Sequence, residues 1–289
     1  MKHIFYTPLT AAPFRQNNVH KEIQPASLAA ARYIRCFWGS EKPYQKAEAD
    51  SPPELIIPDT CADIIYHIDH TDHTVAGGFC GINDASFTYR DEAKPGHLIS
   101  TFAVRFYAWG AYRFSEDPLV GTLNGYDDVQ SRFRSLDQML RPRLLEIQSL
   151  RERSHIAEEF FTGKLCRLRQ NDIINHAVGQ ITAQSGTLTV VELAKECFIN
   201  SRQLERLFGE YIGITPKKLC SLVRYQCLWN EILRNPGFHI QDAVHKYRYT
   251  DQSHLMREFR RYHTMDIRSA KIYACGDVGN IQYTHSRLR

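Results

Sequence analysis

The sequence predicts an α+β N-terminal domain followed by an all-α C-terminal domain. Residues 1 to about 130 contain short runs rich in Ile, Val, Phe and Tyr, broken by Pro, Gly and Asp, as in the strands of a small antiparallel sheet or barrel. Helical spacing of apolar residues begins near residue 135, and residues 172–271 read almost wholly as helices. The length of 289 residues suits two domains.

The predicted strands lie in four segments of the N-terminal half. They are PELIIPDTCADIIYHID (53–69), TVAGGFCGI (74–82), ASFTYR (85–90) and LISTFAVRFYAWGAYRF (98–114). Residues 27–39, SLAAARYIRCFWG, favour a helical or mixed segment instead.

Residues 136–171 form a predicted helical connector and a candidate dimer contact. Their apolar residues recur near the helical period, and Pro142 predicts a break. We therefore divide the chain into an N-terminal regulatory or sensor domain (1–135), the connector (136–171), a helical domain (172–271) and a C-terminal tail (272–289).

The helical domain begins with two short helices separated by about three residues, which is a helix-turn-helix. Thr189 and Glu192 match a capping box, in which each side chain accepts the backbone N–H of the other residue. Asn200 is the predicted cap of the second helix. The buried stripe of that helix comprises Leu204, Leu207, Phe208 and Tyr211.

A long helix then separates this unit from a second one. Thr215 caps it, Pro216 occupies its first position, and Asn235-Pro-Gly stops it after Arg234. At 1.5 Å per residue the rod is roughly 28 Å long. Because successive major grooves on one face of DNA lie about 34 Å apart, one chain could place two recognition helices in adjacent grooves.

Composition and charge indicate the compartment of the protein, the state of its cysteines and the charge of its partner. The N-terminus lacks a signal-peptide core and no apolar run reaches a membrane span, so we expect a cytoplasmic protein with no membrane partner. Eight scattered cysteines without a C-x-x-C pair favour free buried thiols. After residue 171 there are 16 Lys and Arg against 11 Asp and Glu, compared with 20 against 21 before it, so a polyanion partner would bind the C-terminal half.

Across residues 172–271 the sequence resembles the AraC/XylS family of bacterial transcription regulators. The first unit carries ELA (192–194), NSRQLERLF (200–208) and GITP (213–216), followed by Arg224. In the second unit, YTDQSHLMREFRRY (249–262) resembles the family's most recognisable signature. The resemblance implies a DNA-binding protein, usually an activator that contacts RNA polymerase, whose variable N-terminal domain senses a small-molecule effector or mediates homodimerisation. Residues 1–165 more faintly resemble an uncharacterised domain at the N-terminus of some AraC-type regulators, which implies an architecture and no chemistry.

The sequence departs from the family pattern at both turns. Phe198 and Arg248 stand where the family usually carries Gly, and neither adopts a positive φ without strain, which predicts remodelled turns. TMDI (264–267) replaces the second G-x-T-P, although Asp266 could still cap a helix. We therefore expect base reading to concentrate on the first unit and the second to contribute mainly phosphate contacts.

Candidate DNA contacts are the polar residues that lie off the apolar stripes. Arginine can bind guanine through two hydrogen bonds, whereas other cations grip phosphates and position the protein without specifying sequence. His254 is either part of this surface or a structural residue packed under the turn. The predicted base contacts are Ser201, Arg202, Glu205, Arg206, Gln252, Ser253, Met256 and Arg257. The predicted phosphate contacts are Lys217, Lys218, Arg260 and Arg261.

The N-terminal half offers two weaker candidate sites. Imidazoles suit Zn, Ni or Cu, so the histidines of YHIDHTDHT, His67, His70 and His73, could form a metal site, or simply a polar hairpin tip. Aromatic residues around an arginine could line an effector pocket, or belong to the core. These are Trp38, Tyr66, Phe79, Arg105, Tyr107 and Trp109.

No enzyme signature is present, and we expect neither catalysis nor a cofactor. Two alternatives stay open for the N-terminal domain. It could be a metal- or ligand-binding sensor or enzyme that carries the DNA-binding module as an accessory, or a ligand-free domain that only dimerises.

Overall fold

An antiparallel sheet forms the centre of the N-terminal half in the computed structural model, which describes residues 6–9, 20–46, 54–89, 93–165 and 170–276. Its strands follow the order β1-β2-β8-β5-β6-β9, and β3 pairs with β8. Strands β4 and β7 form a separate pair. The bounds are β1 (His20–Ile23), β2 (Ile34–Ser40), β3 (Tyr44–Gln45), β4 (Glu54–Ile56), β5 (Cys61–Asp69), β6 (Thr74–Cys80), β7 (Phe87–Tyr89), β8 (Leu98–Tyr107) and β9 (Tyr126–Asp128). The predicted antiparallel sheet with helices is thereby confirmed.

Helices cover one face of this sheet. They are α1 (Ala111–Phe114), α2 (Arg134–Leu140) and α3 (Leu150–Lys164). The Phe106 ring on β8 lies 5.5 Å from Phe161 of α3 and 6.1 Å from Phe133, measured between ring centroids. The part of the predicted connector within α2 and α3 therefore packs on the sheet as part of the core, because its apolar stripe needs an apolar partner.

Two irregular segments follow their local sequence. A 3-10 turn at Arg141–Arg143 contains Pro142, where the helical pattern was predicted to break. Residues 27–39, predicted as helical or mixed, contain a short 3-10 turn (Ala30–Arg32) and then β2. Residues 34–40 form a strand and not a helix because they pair with the central strand β8.

The C-terminal half consists of seven helices among the residues described. These are α4 (Asp172–Ala183), α5 (Val190–Glu196), α6 (Ser201–Tyr211), α7 (Pro216–Arg234), α8 (Ile240–Lys246), α9 (Gln252–His263) and α10 (Ile267–Gly276). Helix α7 is the rod between the two helix-turn-helix units, α5–α6 and α8–α9. Helix α10 crosses residue 271, where we end the helical domain; Cys166 and the tail beyond residue 276 lie outside the described residues.

The helix starts form as their sequences predict. Thr189 N donates to Glu192 at 2.8 Å, and Glu192 N donates to Thr189 Oγ1 at 3.2 Å, which completes the capping box. Asn200 accepts from Gln203 N at 2.8 Å, and Thr215 caps α7 with Pro216 next to it. These bonds satisfy backbone donors that the first turn of a helix leaves unpaired.

The prediction of remodelled turns is wrong. Phe198 adopts φ 55° and Arg248 φ 52°, so both residues take the left-handed conformation that glycine would supply. The hydrogen bonds match as well: Ile199 N donates to Ala194 O at 3.1 Å, and Tyr249 N donates to Val244 O at 2.9 Å. The packing of the two helices in each unit fixes the turn conformation, and Phe198 and Arg248 adopt it despite the backbone strain of a positive φ.

Replacing Phe198 with Gly is expected to raise the free energy of unfolding by up to about 1 kcal/mol, because it removes left-handed strain. The side chain is 95% exposed, so little burial is lost. Chemical denaturation of the two proteins measures the difference. A lower stability of Phe198→Gly would contradict the strain argument.

Membrane-spanning helices and disulfides were the two remaining questions that the composition raised. Among the described residues, no helix combines the length and apolar character needed to cross a bilayer. The described cysteines are free thiols, and burial raises the pKa of Cys80 to about 11 and of Cys220 to about 12. These thiols are therefore protonated at neutral pH.

Candidate nucleic-acid interface

Helix α6 presents a polar face opposite its buried stripe. Arg202, Glu205 and Arg206 are exposed and Ser201 is half-buried. On the other side Leu204 and Phe208 are fully buried against the rest of the unit. Arg206 lies 3.5 Å from Glu210 on the same helix, whereas Arg202 has no ion pair with another described residue. All four predicted base contacts of the first unit thus lie off the packed side of one helix.

Helix α9 repeats this arrangement in the second unit. Gln252, Ser253 and Arg257 are exposed, and Met256 is half-buried. The half-buried His254 packs within its own unit: its ring lies edge-on against Tyr249 at 5.3 Å, and its Nδ1 lies 3.3 Å from Thr250 Oγ1. Because α9 begins after an Asp251 cap and a regular turn, the second unit has the same local geometry as the first.

The end of the second unit is intact despite its unusual sequence. Thr264 takes a left-handed φ of 61° at the C-terminus of α9. Asp266 then accepts from Ser269 N at 2.9 Å and so caps α10, as its position predicts. The substitution of TMDI for the usual motif therefore does not disturb the backbone that supports α9.

An ion pair that the sequence reading missed fixes α9 to the rod. Glu258 accepts from Arg224 Nε at 3.0 Å and Nη2 at 2.6 Å, and from the Tyr249 hydroxyl at 2.8 Å. The Arg224 guanidinium also lies 4.5 Å from the centre of the Tyr249 ring. The sequence carried one signal for this pair. Glu258 lies three residues after Leu255 and therefore on the same side of the helix as the buried stripe. A carboxylate placed beside a buried stripe needs a cation as its partner.

The four predicted phosphate cations fall into two pairs. Lys217 and Arg260 are exposed. Lys218 Nζ bonds to Asp84 Oδ2 in the loop between β6 and β7, and Arg261 Nη2 lies 3.7 Å from the same oxygen. Two cations of the C-terminal half thus contact an anion of the N-terminal half.

The residues of the predicted effector pocket do not line one cavity. Tyr66 and Phe79 are buried on the helix-covered face of the sheet, whereas Trp38 and Arg105 lie on the opposite face. Arg105 pairs with Asp63 at 2.8 Å, and Trp38 Nε1 donates to Asp63 at 2.9 Å. The prediction is wrong because side chains alternate between faces and the register between strands divides the set.

The last two residues of that set form a separate pair. Tyr107 ends β8 and Trp109 follows it in a turn, and their rings stack with centroids 4.7 Å apart. Trp109 Nε1 donates to the Arg32 carbonyl at 2.9 Å. These contacts fasten the end of β8 to the 3-10 turn before β2.

The three predicted metal-ligating histidines do not converge either. His70 bonds to Ser100 at 2.8 Å, His67 is exposed, and His73 lies in the following turn with φ 53°. Among the described residues, the potential ligand atoms that cluster belong to Asp69, Asp72 and His97. Lys94 already bonds to Asp72 at 2.7 Å, and His97 to Asp69 at 2.7 Å, so the cluster is a hydrogen-bonded network at a hairpin tip.

Two segments of the chain match known family models. Residues 193–269 match a family described as a helix-turn-helix domain, and residues 21–125 match a domain of unknown function, DUF6597. The search of curated proteins found no match.

Similar solved structures include an AraC-type transcriptional regulator from Chromobacterium violaceum, with 21% identity over 35% of this chain and 89% of that one, at a TM-score of 0.32. ToxT from Vibrio cholerae O395 shows 11% identity over 84% of this chain and 99% of that one, at a TM-score of 0.37. Unsaturated fatty acid-bound ToxT from Vibrio cholerae shows 10% identity over 82% of this chain and 95% of that one, at a TM-score of 0.35. These similarities are remote.

The two helix-turn-helix units and the rod between them form an architecture that can bind DNA, and the matched family model is a helix-turn-helix domain. Residues 193–269 are thus similar to a helix-turn-helix domain, and residues 21–125 before them are similar to the domain DUF6597.

Proposed function

We propose that the chain binds specific DNA sequences through α6 and α9 and that its N-terminal domain controls this binding. The observation that carries the proposal is the pair of exposed polar faces, each with an arginine, at the two ends of one rigid rod. Arg206 and Arg257 are each the sixth residue of their helix, counted from Ser201 in α6 and from Gln252 in α9. This symmetry supports insertion of both helices into successive major grooves.

The two helices contribute equally in this proposal. We expected α9 to contact mainly phosphates because its flanking sequence predicted a remodelled turn. The turn before α9 and its N-terminal cap instead have the same form as those of α6, so that reason no longer applies. Base contacts would come from the exposed residues of both helices, and Lys217 and Arg260 would grip phosphates at the edges.

Control by the N-terminal domain completes the proposal. Residues 1–135 would sense a small-molecule effector or mediate homodimerisation, 136–171 would supply a dimer contact, and 172–271 would bind DNA in the cytoplasm. By analogy with the AraC/XylS family, which residues 172–271 resemble, the protein would activate transcription by contacting RNA polymerase. The half-exposed residues Ile156 and Phe160 on α3 support a dimer contact there.

The test is selection of binding sites from random duplex DNA with the full-length chain, followed by affinity measurements at fixed salt. Enrichment of one sequence with two half-sites about one helical turn apart is the expected result. Uniform affinity for selected and scrambled duplexes would refute sequence-specific binding.

Arg202→Ala and Lys217→Ala should separate base contacts from phosphate contacts. We expect Arg202→Ala to lose about 1–3 kcal/mol of discrimination between the selected duplex and one with a changed contact base. Lys217→Ala should weaken both duplexes alike, because a phosphate contact carries no sequence information. Equal behaviour of the two variants would show that the assignment of faces is wrong.

A further inference from the structure

Two of the four cations that we assign to DNA phosphates already hold an anionic group. Lys218 in the first turn of α7 and Arg261 in the last turn of α9 both approach one oxygen of Asp84, with the Arg261 pair at 3.7 Å. A carboxylate oxygen between an ammonium and a guanidinium makes the contacts that a phosphate oxygen would make.

The N-terminal domain holds this carboxylate in position. Asn124 Nδ2 donates to Asp84 Oδ1 at 2.6 Å, and Asp84 N donates to Asn124 Oδ1 at 2.8 Å. Partial burial alone would raise the pKa of Asp84, but hydrogen bonds from Lys218 and Asn124 hold that pKa below its ordinary value. The side chain is therefore a fixed anion at neutral pH.

Several other hydrogen bonds join the two halves, alongside apolar contacts such as the Tyr112–Tyr211 ring pair, whose centroids lie 5.1 Å apart. The Ser86 hydroxyl donates to the Tyr262 carbonyl, and Leu119 N donates to Glu210 O at 3.0 Å at the end of α6. The buried amide of Gln226 on α7 accepts from Leu9 N at 2.7 Å and donates to Pro58 O at 2.6 Å. Hydrogen bonds of this kind exchange for bonds to water with a small net change in free energy, so the polar contacts beside Asp84 can be replaced by contacts to another anion.

The N-terminal domain does not cover the proposed base-reading faces. Arg202, Gln252 and Arg257 stay exposed while Lys218 and Arg261 are engaged. The domain thus engages Lys218 closely and Arg261 at its edge, where the Arg261 side chain stays 63% exposed, and it leaves the sequence-reading side chains accessible.

We infer that Lys218 and Arg261 form a phosphate-binding site that Asp84 occupies in competition with the DNA backbone. This inference rests on the proposed DNA-binding function. Binding of DNA at this site releases Asp84 from both cations. Because phosphate contacts carry no sequence information, the competition lowers the affinity for every sequence by the same factor and leaves the specificity ratio unchanged.

Asp84→Asn in the full-length chain tests the competition, since it removes the charge and keeps the shape. We expect binding that is tighter by up to about fivefold to both a selected and a scrambled duplex at fixed salt. Asp117→Asn is the matched control, because it removes the same charge from a pair with Arg134 at 3.0 Å within the N-terminal domain. In a Lys218→Met background the gain from Asp84→Asn should shrink.

Equal affinities of Asp84→Asn and Asp117→Asn would overturn the inference even if the wild-type chain selects a sequence. A gain for Asp84→Asn on both duplexes without any selectivity would uphold the competition and refute sequence-specific binding. The phosphate group that binds Lys218 and Arg261 could also come from free inorganic phosphate and not from the DNA backbone. Stabilisation of Asp84→Asn by inorganic phosphate, at matched ionic strength and without tighter DNA binding, would overturn the assignment to DNA. Thermal unfolding of each variant establishes that it is folded.

Discussion

Glu258→Ala is expected to lower the free energy of unfolding by about 2–3 kcal/mol, the largest effect that we expect from one surface-proximal charge. The side chains of Arg224 and Glu258 are only 15% and 12% exposed. Removing the carboxylate leaves the guanidinium with a poorly solvated charge and takes away the acceptor of the Tyr249 hydroxyl. Denaturant unfolding at neutral pH measures the loss, and DNA binding should weaken because α9 is no longer tied to the rod.

Two variants make this prediction specific. Glu159→Ala removes a carboxylate from an exposed helix position, where the side chain is 66% exposed, and should change stability by less than about 0.5 kcal/mol. Arg224→Met combined with Glu258→Met should lose much less than the sum of the single changes, because no charge is then left unpaired. Additive losses would show that the two residues do not act as a pair.

The C-terminal half was predictable because its signals are local. The Thr189 and Asn200 caps, the stripe of α6 and the Pro216 start of α7 each depend on residues within one or two turns. The turn conformation at Phe198 was not predictable from the residue itself. There the packing of two helices overrides the preference of one side chain.

The N-terminal half was predictable only as a set of strands. Which residues meet across the sheet depends on pairing between distant segments, as when Tyr66 is placed opposite Phe102 and away from Arg105. The Asp84–Lys218 contact joins residues 134 apart in the chain, and neither neighbourhood marks it. Local periodicity identifies faces, but tertiary register decides which faces form a site.

Acidification is expected to destabilise the C-terminal half through His263. Burial lowers the pKa of His263 to about 4, because the ring is 2% exposed and packs against Trp229 and Phe259. In the unfolded chain a histidine has a pKa near 6.5, so the unfolded state takes up a proton first as the pH falls. The stabilisation from the neutral ring is thus complete above about pH 6.5 and is lost as the pH falls toward 4.

The expected loss between pH 7 and pH 5 is about 2 kcal/mol, measured by denaturant unfolding across that range. His263→Gln should flatten this dependence, since an amide does not titrate and its oxygen can accept from the Tyr225 hydroxyl, which lies 2.8 Å from His263 Nδ1. His155→Gln is the matched control, because that side chain is 72% exposed and should leave the slope unchanged. A wild-type slope retained in His263→Gln would assign the acid sensitivity to the carboxylates whose pKa values are lowered, such as Asp84 and Glu116.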